Sequence, residues 1–270
     1  MQKKFLGLAG AVLGLAVLAV LSGLPAPWAG WARDGCERAD CYCEPVTDGF
    51  VAQPLAAYSN LGFMAVGLWI LTAPRRRSTC PPERSEWGAE SLANREPAAG
   101  NLLRAHPVYA GLFAVTALGT GLGSFFYHAS LTRLGEWFDL VGLYLFTSGV
   151  LVYALARLTR RAAPGRWAAV YAGVNVLGAA QMLWARDWQQ IVFGALAAGA
   201  LAAEALVLIW RRPRIQKRYL AAALLSLAAG AALWVTPCAA QLPFPPHAGW
   251  HVLAAAAQAG LFAYYRSEQG

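Results

Sequence analysis

Charged residues are scarce in this sequence. They make up 13% of the 270 residues, while 58% are hydrophobic. Soluble domains typically contain about 25% charged and 45–50% apolar residues, so this composition excludes an ordinary soluble domain and favours a membrane protein. The alternation typical of a β-barrel is also missing, and the apolar segments are rich in Leu, Ala, Val and Gly. We therefore expect helices, because helices satisfy their backbone hydrogen bonds internally, as lipid requires.

Eight apolar segments follow one another along the chain, each with roughly the 20 residues that cross a bilayer. They are Phe5–Leu24, Pro54–Ala73, His106–His128, Glu136–Arg157, Trp167–Trp184, Trp188–Trp210, Tyr219–Val235 and His247–Tyr265. The sequence thus predicts an all-α polytopic membrane protein with a seven-transmembrane helix bundle over residues 54–265. An extra hydrophobic helix at 1–24, either an anchor or a cleaved signal peptide, precedes it. An outer Cys-rich segment follows at 25–53, and a polar cytoplasmic loop is expected at 74–105.

Positive charge is spread unevenly between the predicted loops. If Met1 is cytoplasmic and each segment crosses once, all but four of the 22 Lys and Arg residues lie on the cytoplasmic side. The four exceptions are Arg33, Arg38, Arg133 and Arg186. This positive-inside pattern predicts the orientation and a cytoplasmic C-terminus. The net charge of +8 forms no single basic patch, which argues against a nucleic-acid partner.

Cysteines are few, and most fall on one side. Cys36, Cys41, Cys43 and Cys238 are predicted to lie outside, and only Cys80 inside. Four cysteines in an oxidising compartment suggest two disulfides, which can be connected in three ways. A Cys-rich zinc site is the rival interpretation, but the stretch "CERADCYC" lacks the paired C-x-x-C spacing.

Only four histidines are present, and three of them stand at the ends of apolar segments. The topology places His128, His247 and His251 at the outer ends of their helices. His247 and His251 are four residues apart and share one helix face, a spacing that suits two ligands of one metal ion. With His128 as the third ligand, the set matches a catalytic zinc site with three protein ligands and an open position for water.

Two more polar residues fall at the same depth. Asp139 begins the next helix and could accept a proton from an activated water. Ser124 lies one turn from His128 and could stabilise an oxyanion or orient the water. Each residue also has a simpler explanation: an interfacial His, a Ser bonded to its own helix, or an Asp at a helix start. Their joint placement favours function, because ionisable groups within membrane spans are costly.

Other features of the sequence point to structure rather than chemistry. The stretch "GTGLGS" at 119–124 resembles a phosphate loop but lacks the preceding strand, so close helix contact is the better interpretation. Glu204 is near enough to Arg211 in sequence to pair with it. The apparent lack of a mid-membrane charge pair or a broken helix argues against a transporter.

The pattern Ser124-x3-His128-x10-Asp139, followed by His247-x3-His251, resembles the alkaline ceramidase family. That family belongs to a superfamily of seven-helix membrane hydrolases that includes the adiponectin-receptor-like proteins. The resemblance extends over roughly residues 41–265 and includes "YCEPVTDGFVAQPLAAYSN" and "HAGWHVL". It implies that the three histidines bind zinc and that Ser124 and Asp139 assist catalysis. The implied reaction is hydrolysis of the amide of ceramide to a free base and a fatty acid.

The resemblance also implies a calcium site and a disulfide. Glu44 is retained as a calcium ligand, with Asp48 and Gln53 as further candidates, but the charge of the set is reduced because Gln53 stands where a Glu is expected. Cys41 and Val46 likewise replace an expected acid and amide. The implied disulfide joins Cys43 to Cys238, which leaves Cys36 to pair with Cys41.

The leading expectation is a zinc-dependent hydrolase of linear amide bonds that takes a lipid substrate from the outer leaflet. Short loops and a composition rich in Ala, Arg and Gly suggest a bacterial inner membrane, with the active site toward the periplasm. Two alternatives stay open: a receptor or sensor with the same zinc-binding fold, and a hydrolase of ester lipids.

Overall fold

A computed structural model describes residues 27–28, 30–34, 41–73, 101–159, 163–238 and 242–269. The N-terminal hydrophobic segment 1–24, residues 74–100 of the polar loop, Cys36 and the side chain of Cys41 lie outside the described part of the chain. The described ranges contain helices and isolated β-bridges but no β-strand. The predicted all-α class is therefore confirmed.

The nine α-helices follow the predicted apolar segments closely. They are α1 Pro54–Ser59, α2 Leu61–Thr72, α3 Leu102–Ala105, α4 Pro107–Ser130, α5 Arg133–Thr159, α6 Pro164–Trp184, α7 Gln189–Leu206, α8 Lys217–Trp234 and α9 Pro246–Arg266 in the described ranges. Short 3-10 turns cover Cys41–Cys43 and Arg186–Trp188, and a π-turn at Val207–Arg211 extends α7. The small helix α3 lies at the end of the predicted loop, where the Asn101 side chain accepts hydrogen bonds from the Leu103 and Arg104 amides.

Among the described residues, four helical stretches are long and apolar enough to cross a membrane. They are Pro54–Thr72, Pro107–Ser130, Arg133–Thr159 and Arg186–Arg211. Helices α6, α8 and α9 contain 18 to 21 residues and pack in the same bundle, but they are not in that set. The structure is thus consistent with a membrane protein, and the count of seven spans stays a prediction.

The packing of α1 and α2 decides where the site forms. These two helices contact both α4 and α9, so they lie between the two helices that carry the histidines. Helix α4 also packs along most of α5. At their crossing a Cβ added to Gly123 would lie 2.4 Å from the Phe138 carbonyl oxygen. The close approach that "GTGLGS" predicted is confirmed, and it brings the residue after Gly123 next to the residue after Phe138.

The two ends of the bundle differ in charge. We call the end where α4 stops and α5 and α9 begin the histidine end, and the opposite end the arginine end. The described Lys and Arg residues at the arginine end are Arg104, Arg157, Arg166, Arg211, Arg212, Arg214, Lys217, Arg218 and Arg266. At the histidine end the described ranges contain Arg33, Arg133 and Arg186. This asymmetry agrees with the charge pattern of the sequence.

A buried ion pair corrects one interpretation of the sequence. Glu204 pairs with Arg157 rather than with Arg211: Nη1 of Arg157 donates to both Glu204 carboxylate oxygens, at 2.8 and 2.7 Å. Both side chains are buried, and Arg211 donates instead to the Leu158 carbonyl. Arg157 is on α5 and Glu204 is on α7. Because the two residues belong to different helices, residue spacing within one helix could not predict that they pair. The pair lies near the arginine end of the bundle, because Arg157 is in the last turn of α5.

Candidate metal centre

Three imidazoles meet at the histidine end. One ring nitrogen from each of His128, His247 and His251 lies within 4.8 Å of the other two, so the three residues could hold one metal ion. All three side chains are buried. His128 lies near the end of α4, while His247 and His251 occupy the first two turns of α9. The predicted convergence of the three histidines is confirmed.

Hydrogen bonds to α1 and to the residue before it orient two of the rings. Nδ1 of His128 lies 2.8 Å from Oε1 of Gln53, a buried side chain. Nδ1 of His251 lies 3.0 Å from the Ala56 carbonyl oxygen and 2.8 Å from the Ser59 hydroxyl. Because amide and carbonyl oxygens accept hydrogen bonds, the proton of each ring belongs on Nδ1. Nε2 then carries the lone pair of both rings, as metal ligation requires.

The spacing of two of the rings suits a zinc ion. Nε2 of His128 and Nε2 of His247 are 3.2 Å apart. Two nitrogens of a tetrahedral zinc site with bonds of 2.0–2.1 Å stand about 3.3 Å apart. A donor set made only of imidazoles also suits zinc better than a hard cation such as magnesium or calcium. The residues present therefore fit the metal that the sequence suggests.

Ser124 and Asp139 lie together beside the histidines. The Ser124 side chain contacts the Asp139 carboxylate, and its hydroxyl lies 3.4 Å from Nε2 of His251. Ser124 is buried, while Asp139 is half-buried. The close crossing at Gly123 makes this contact possible, because Ser124 and Asp139 each follow one of the two touching residues.

Tyr42 is a member of the site that sequence reasoning missed. Its ring stacks on the His247 imidazole, with 4.1 Å between centroids and 29° between planes. Nδ1 of His247 is buried and has no hydrogen-bond partner in the described residues, so this ring is oriented by stacking rather than by a hydrogen bond. Burial raises the pKa of the Tyr42 hydroxyl to about 12, so the group is neutral. Only its place between two Cys in "CYC" could have drawn attention to it.

The backbone around Tyr42 is strained and held by a disulfide. Tyr42 and Cys43 both have positive φ angles, 59° and 61°, and such conformations cost about 1–3 kcal/mol each in residues other than glycine. Cys43 forms a disulfide with Cys238, the pairing that the family resemblance implies. The disulfide ties the Tyr42 segment to the stretch that leads into α9. The second implied disulfide, Cys36 with Cys41, lies outside the described side chains.

Two of the three residues suggested as calcium ligands form hydrogen bonds within the protein. Both carboxylate oxygens of Glu44 accept backbone hydrogen bonds at the start of α1, from Leu55 at 2.6 Å and Ala56 at 2.8 Å. Gln53 faces His128, and Asp48 is exposed. Among the described residues, the one group of three or more His, Cys, Asp or Glu that could hold a metal is the histidine triad. These contacts do not support a calcium ion, and that site stays a prediction.

The chain matches no protein-family model and no curated protein. The family resemblance that the motifs suggest therefore remains a proposal, and the interpretation of the site depends on its own geometry.

Proposed function

We propose that this protein is a zinc-dependent membrane hydrolase that cleaves the amide bond of ceramide or a related N-acyl lipid. The observation that carries the proposal is the buried triad of His128, His247 and His251 beside the contacting side chains of Ser124 and Asp139. In residue types and sequence spacing these residues resemble the motifs of the alkaline ceramidase family. A purely structural zinc site would have no need of the adjoining carboxylate.

The residues divide the work of hydrolysis between them. The three histidines would hold a zinc ion, which supplies Lewis-acid polarisation of the acyl carbonyl and activates water near neutral pH. The Asp139 carboxylate would take a proton from the attacking water and deliver it to the nitrogen of the departing amine. Ser124, which contacts that carboxylate, would help to position it. Gln53 and the Ala56 carbonyl keep two of the rings in the ligating tautomer.

A cavity at the histidine end supports a lipid substrate. Its volume is about 530 Å³, and it is lined by both sides of the disulfide, by Leu55 of α1 and by Phe244 and Pro246 next to His247. Ligand pockets commonly measure about 300–1,000 Å³ and are mostly apolar. The cavity borders Pro246, the residue before His247, while none of the three histidines lines it.

The charge asymmetry supports the placement of the site. By the positive-inside rule the arginine end faces the cytoplasm, so the histidine end faces the outer side, which is the periplasm if the membrane is a bacterial inner membrane. A disulfide at the histidine end fits an oxidising compartment.

A direct test measures fatty-acid release by the purified protein from N-acyl lipids, with ceramide and N-acyl amino-acid lipids as substrates. We expect release that stops after treatment with a zinc chelator and returns with added zinc. Ester lipids of matched chain length form the parallel series. Faster release from the esters would identify an ester-lipid hydrolase, and no release from any substrate would overturn the proposal.

Asp139→Asn separates the hydrolase from a receptor with the same fold. The hydrolase predicts that this variant binds zinc normally but loses activity by about 10²-fold or more, as expected when a general base is removed. Asp187→Asn, which changes another carboxylate near the same end, is the matched control and should retain activity. A receptor predicts no activity in either protein and unchanged zinc content.

A further inference from the structure

A second cavity opens at the arginine end, far from the histidines. It has a volume of about 380 Å³ and is bordered by the end of α2, the start of α4, the start of α8 and the end of α9. Along α9, Phe262 in this cavity stands eleven residues after His251, which corresponds to about 16 Å of helix. The two cavities therefore lie at opposite ends of the bundle.

The walls of this cavity are largely apolar and include two arginines. Trp69, Ala110 and Phe262 contribute apolar surface to the lining, while Arg104 of α3 and Arg266 at the end of α9 contribute positive charge. Trp69 is 41% exposed and Leu71 is 53% exposed, so the side formed by α2 is open toward the surroundings of the bundle. A cavity with this polarity suits a molecule with a hydrocarbon chain and a polar head.

The charge of Arg104 and Arg266 is not neutralised within the described residues. None of the described residues that line the cavity is acidic. Arg104 donates one hydrogen bond to the Arg266 carbonyl, at 2.9 Å, and Arg266 lies 5.9 Å from the Phe262 ring, but neither forms an ion pair with a described carboxylate. By contrast, the buried Arg157 at the same end is paired with two carboxylates.

We infer that this cavity binds an anionic phospholipid, with its phosphate on Arg104 and Arg266 and an acyl chain against Trp69 and Phe262. Guanidinium groups bind phosphate oxygens in charge-assisted and often bidentate hydrogen bonds. Basic pockets between membrane helices are known sites for anionic headgroups. The inference does not depend on the proposed hydrolase, because no residue of the cavity belongs to the metal centre.

Native mass spectrometry of the purified full-length chain tests the inference. The protein in detergent is mixed with equal amounts of phosphatidylglycerol and phosphatidylcholine that share the same acyl chains. We expect phosphatidylglycerol to be retained about tenfold more strongly, a modest preference for two charge-assisted contacts. Equal retention of the two lipids would overturn the inference.

The double variant R104Q/R266Q should abolish the preference for phosphatidylglycerol. The matched control R212Q/R214Q removes the same charge at the same end from residues that do not line the cavity, and it should keep the preference. If both double variants lose the preference equally, the lipid binds to general surface charge and the inference is wrong.

A third variant tests the acyl-chain part and does not depend on charge. Gly111 lines the cavity, and a Cβ added there meets no heavy atom within 4 Å. We therefore expect Gly111→Leu to fold and its side chain to occupy part of the cavity. Retention of phosphatidylglycerol should fall at least about tenfold, while the metal content at the histidine end stays unchanged. Unaltered retention in this variant would place the lipid elsewhere. Displacement of phosphatidylglycerol by equimolar palmitate would show that the site serves fatty acids instead.

Discussion

The ring of Tyr42 stacks on the His247 imidazole, with 4.1 Å between the ring centroids. Its hydroxyl is the first of a series of polar contacts that ends at the exposed side chain of Arg186. Tyr42 Oη lies 3.3 Å from Tyr127 Oη, which donates to Asp34 at 2.7 Å. Asp34 in turn pairs with Arg186 at 3.1 Å. The least hydrogen-bonded of the three histidines is thus held in place by the segment that precedes α1.

Tyr42→Ala should weaken zinc binding. Loss of an aromatic stack costs about 0.5–1.5 kcal/mol, and the His247 imidazole would also become free to rotate. We therefore expect zinc affinity to fall about tenfold. Tyr42→Phe keeps the stack and removes only the hydroxyl contact, so its affinity should stay within a few-fold of the unmodified protein. Competition with a chromophoric chelator measures both. Equal affinity in the Ala and Phe variants would show that the stack contributes nothing.

Gln53→Ala should affect the metal through His128. The variant removes the acceptor for Nδ1 of His128, and loss of such a partner typically costs about 10–100-fold in metal affinity. Gln53→Glu retains an acceptor oxygen at the same place and should preserve zinc binding. A calcium titration of the same proteins addresses the other candidate role, because a calcium ligand at this position should bind the ion more tightly as Glu. Unchanged zinc affinity in Gln53→Ala would contradict the role in orienting His128.

Gly123→Ala should separate α4 from α5. The added methyl group would lie 2.4 Å from the Phe138 carbonyl oxygen and 2.8 Å from its carbon, and this backbone cannot turn aside as a flexible side chain could. We expect a loss of about 1–3 kcal/mol in stability, as in other overpacked cores, together with loss of activity as Ser124 moves from Asp139. Gly173→Ala is the control, since its Cβ would meet open space. Thermal unfolding and the fatty-acid assay report the two effects, and a variant as stable and active as the control would disprove the close contact.

Removing one partner of the buried ion pair should be more damaging than removing both. Arg157→Met or Glu204→Met leaves a charge buried without its main partner, and such changes typically cost about 3–5 kcal/mol. The double variant removes both charges and should recover a large part of that loss. Arg211→Gln is the control, because Arg211 is exposed and contacts only a carbonyl. Denaturant unfolding in detergent gives the stability of the unmodified protein, the two single variants, the double variant and the control. Strictly additive losses in the double variant would mean that the pair does not act as a unit.

Much of the fold follows from the sequence because the signals are local. Apolar runs of membrane length predict the helices, and residue types four apart on α9 predict that His247 and His251 share a face. The approach of His128 was also predictable, since the charge pattern places the end of α4 and the start of α9 on the same side. Helix bounds differ by a few residues, as for α5, which begins at Arg133 rather than at Glu136.

The remaining features depend on contacts between distant elements. Gln53 carries no signal in its sequence context, because its role depends on α1 lying between α4 and α9. Tyr42 reaches His247 through a left-handed backbone turn that its residue type does not favour. Glu204 on α7 pairs with Arg157 on α5 rather than with Arg211, which follows it in the sequence. Pattern and spacing describe one element at a time and cannot predict which neighbours meet.

The end of the described chain is fastened to the bundle. The Asn101 amide donates to the Tyr265 carbonyl at 2.9 Å and to the Glu268 carbonyl at 3.0 Å, while the Glu268 side chain reaches Arg157. An affinity tag fused directly behind these residues would disturb the contact between Glu268 and Arg157 and the hydrogen bonds from Asn101. Purification handles therefore belong behind a long flexible spacer, and yield with and without that spacer becomes a simple readout of how firmly this closure holds.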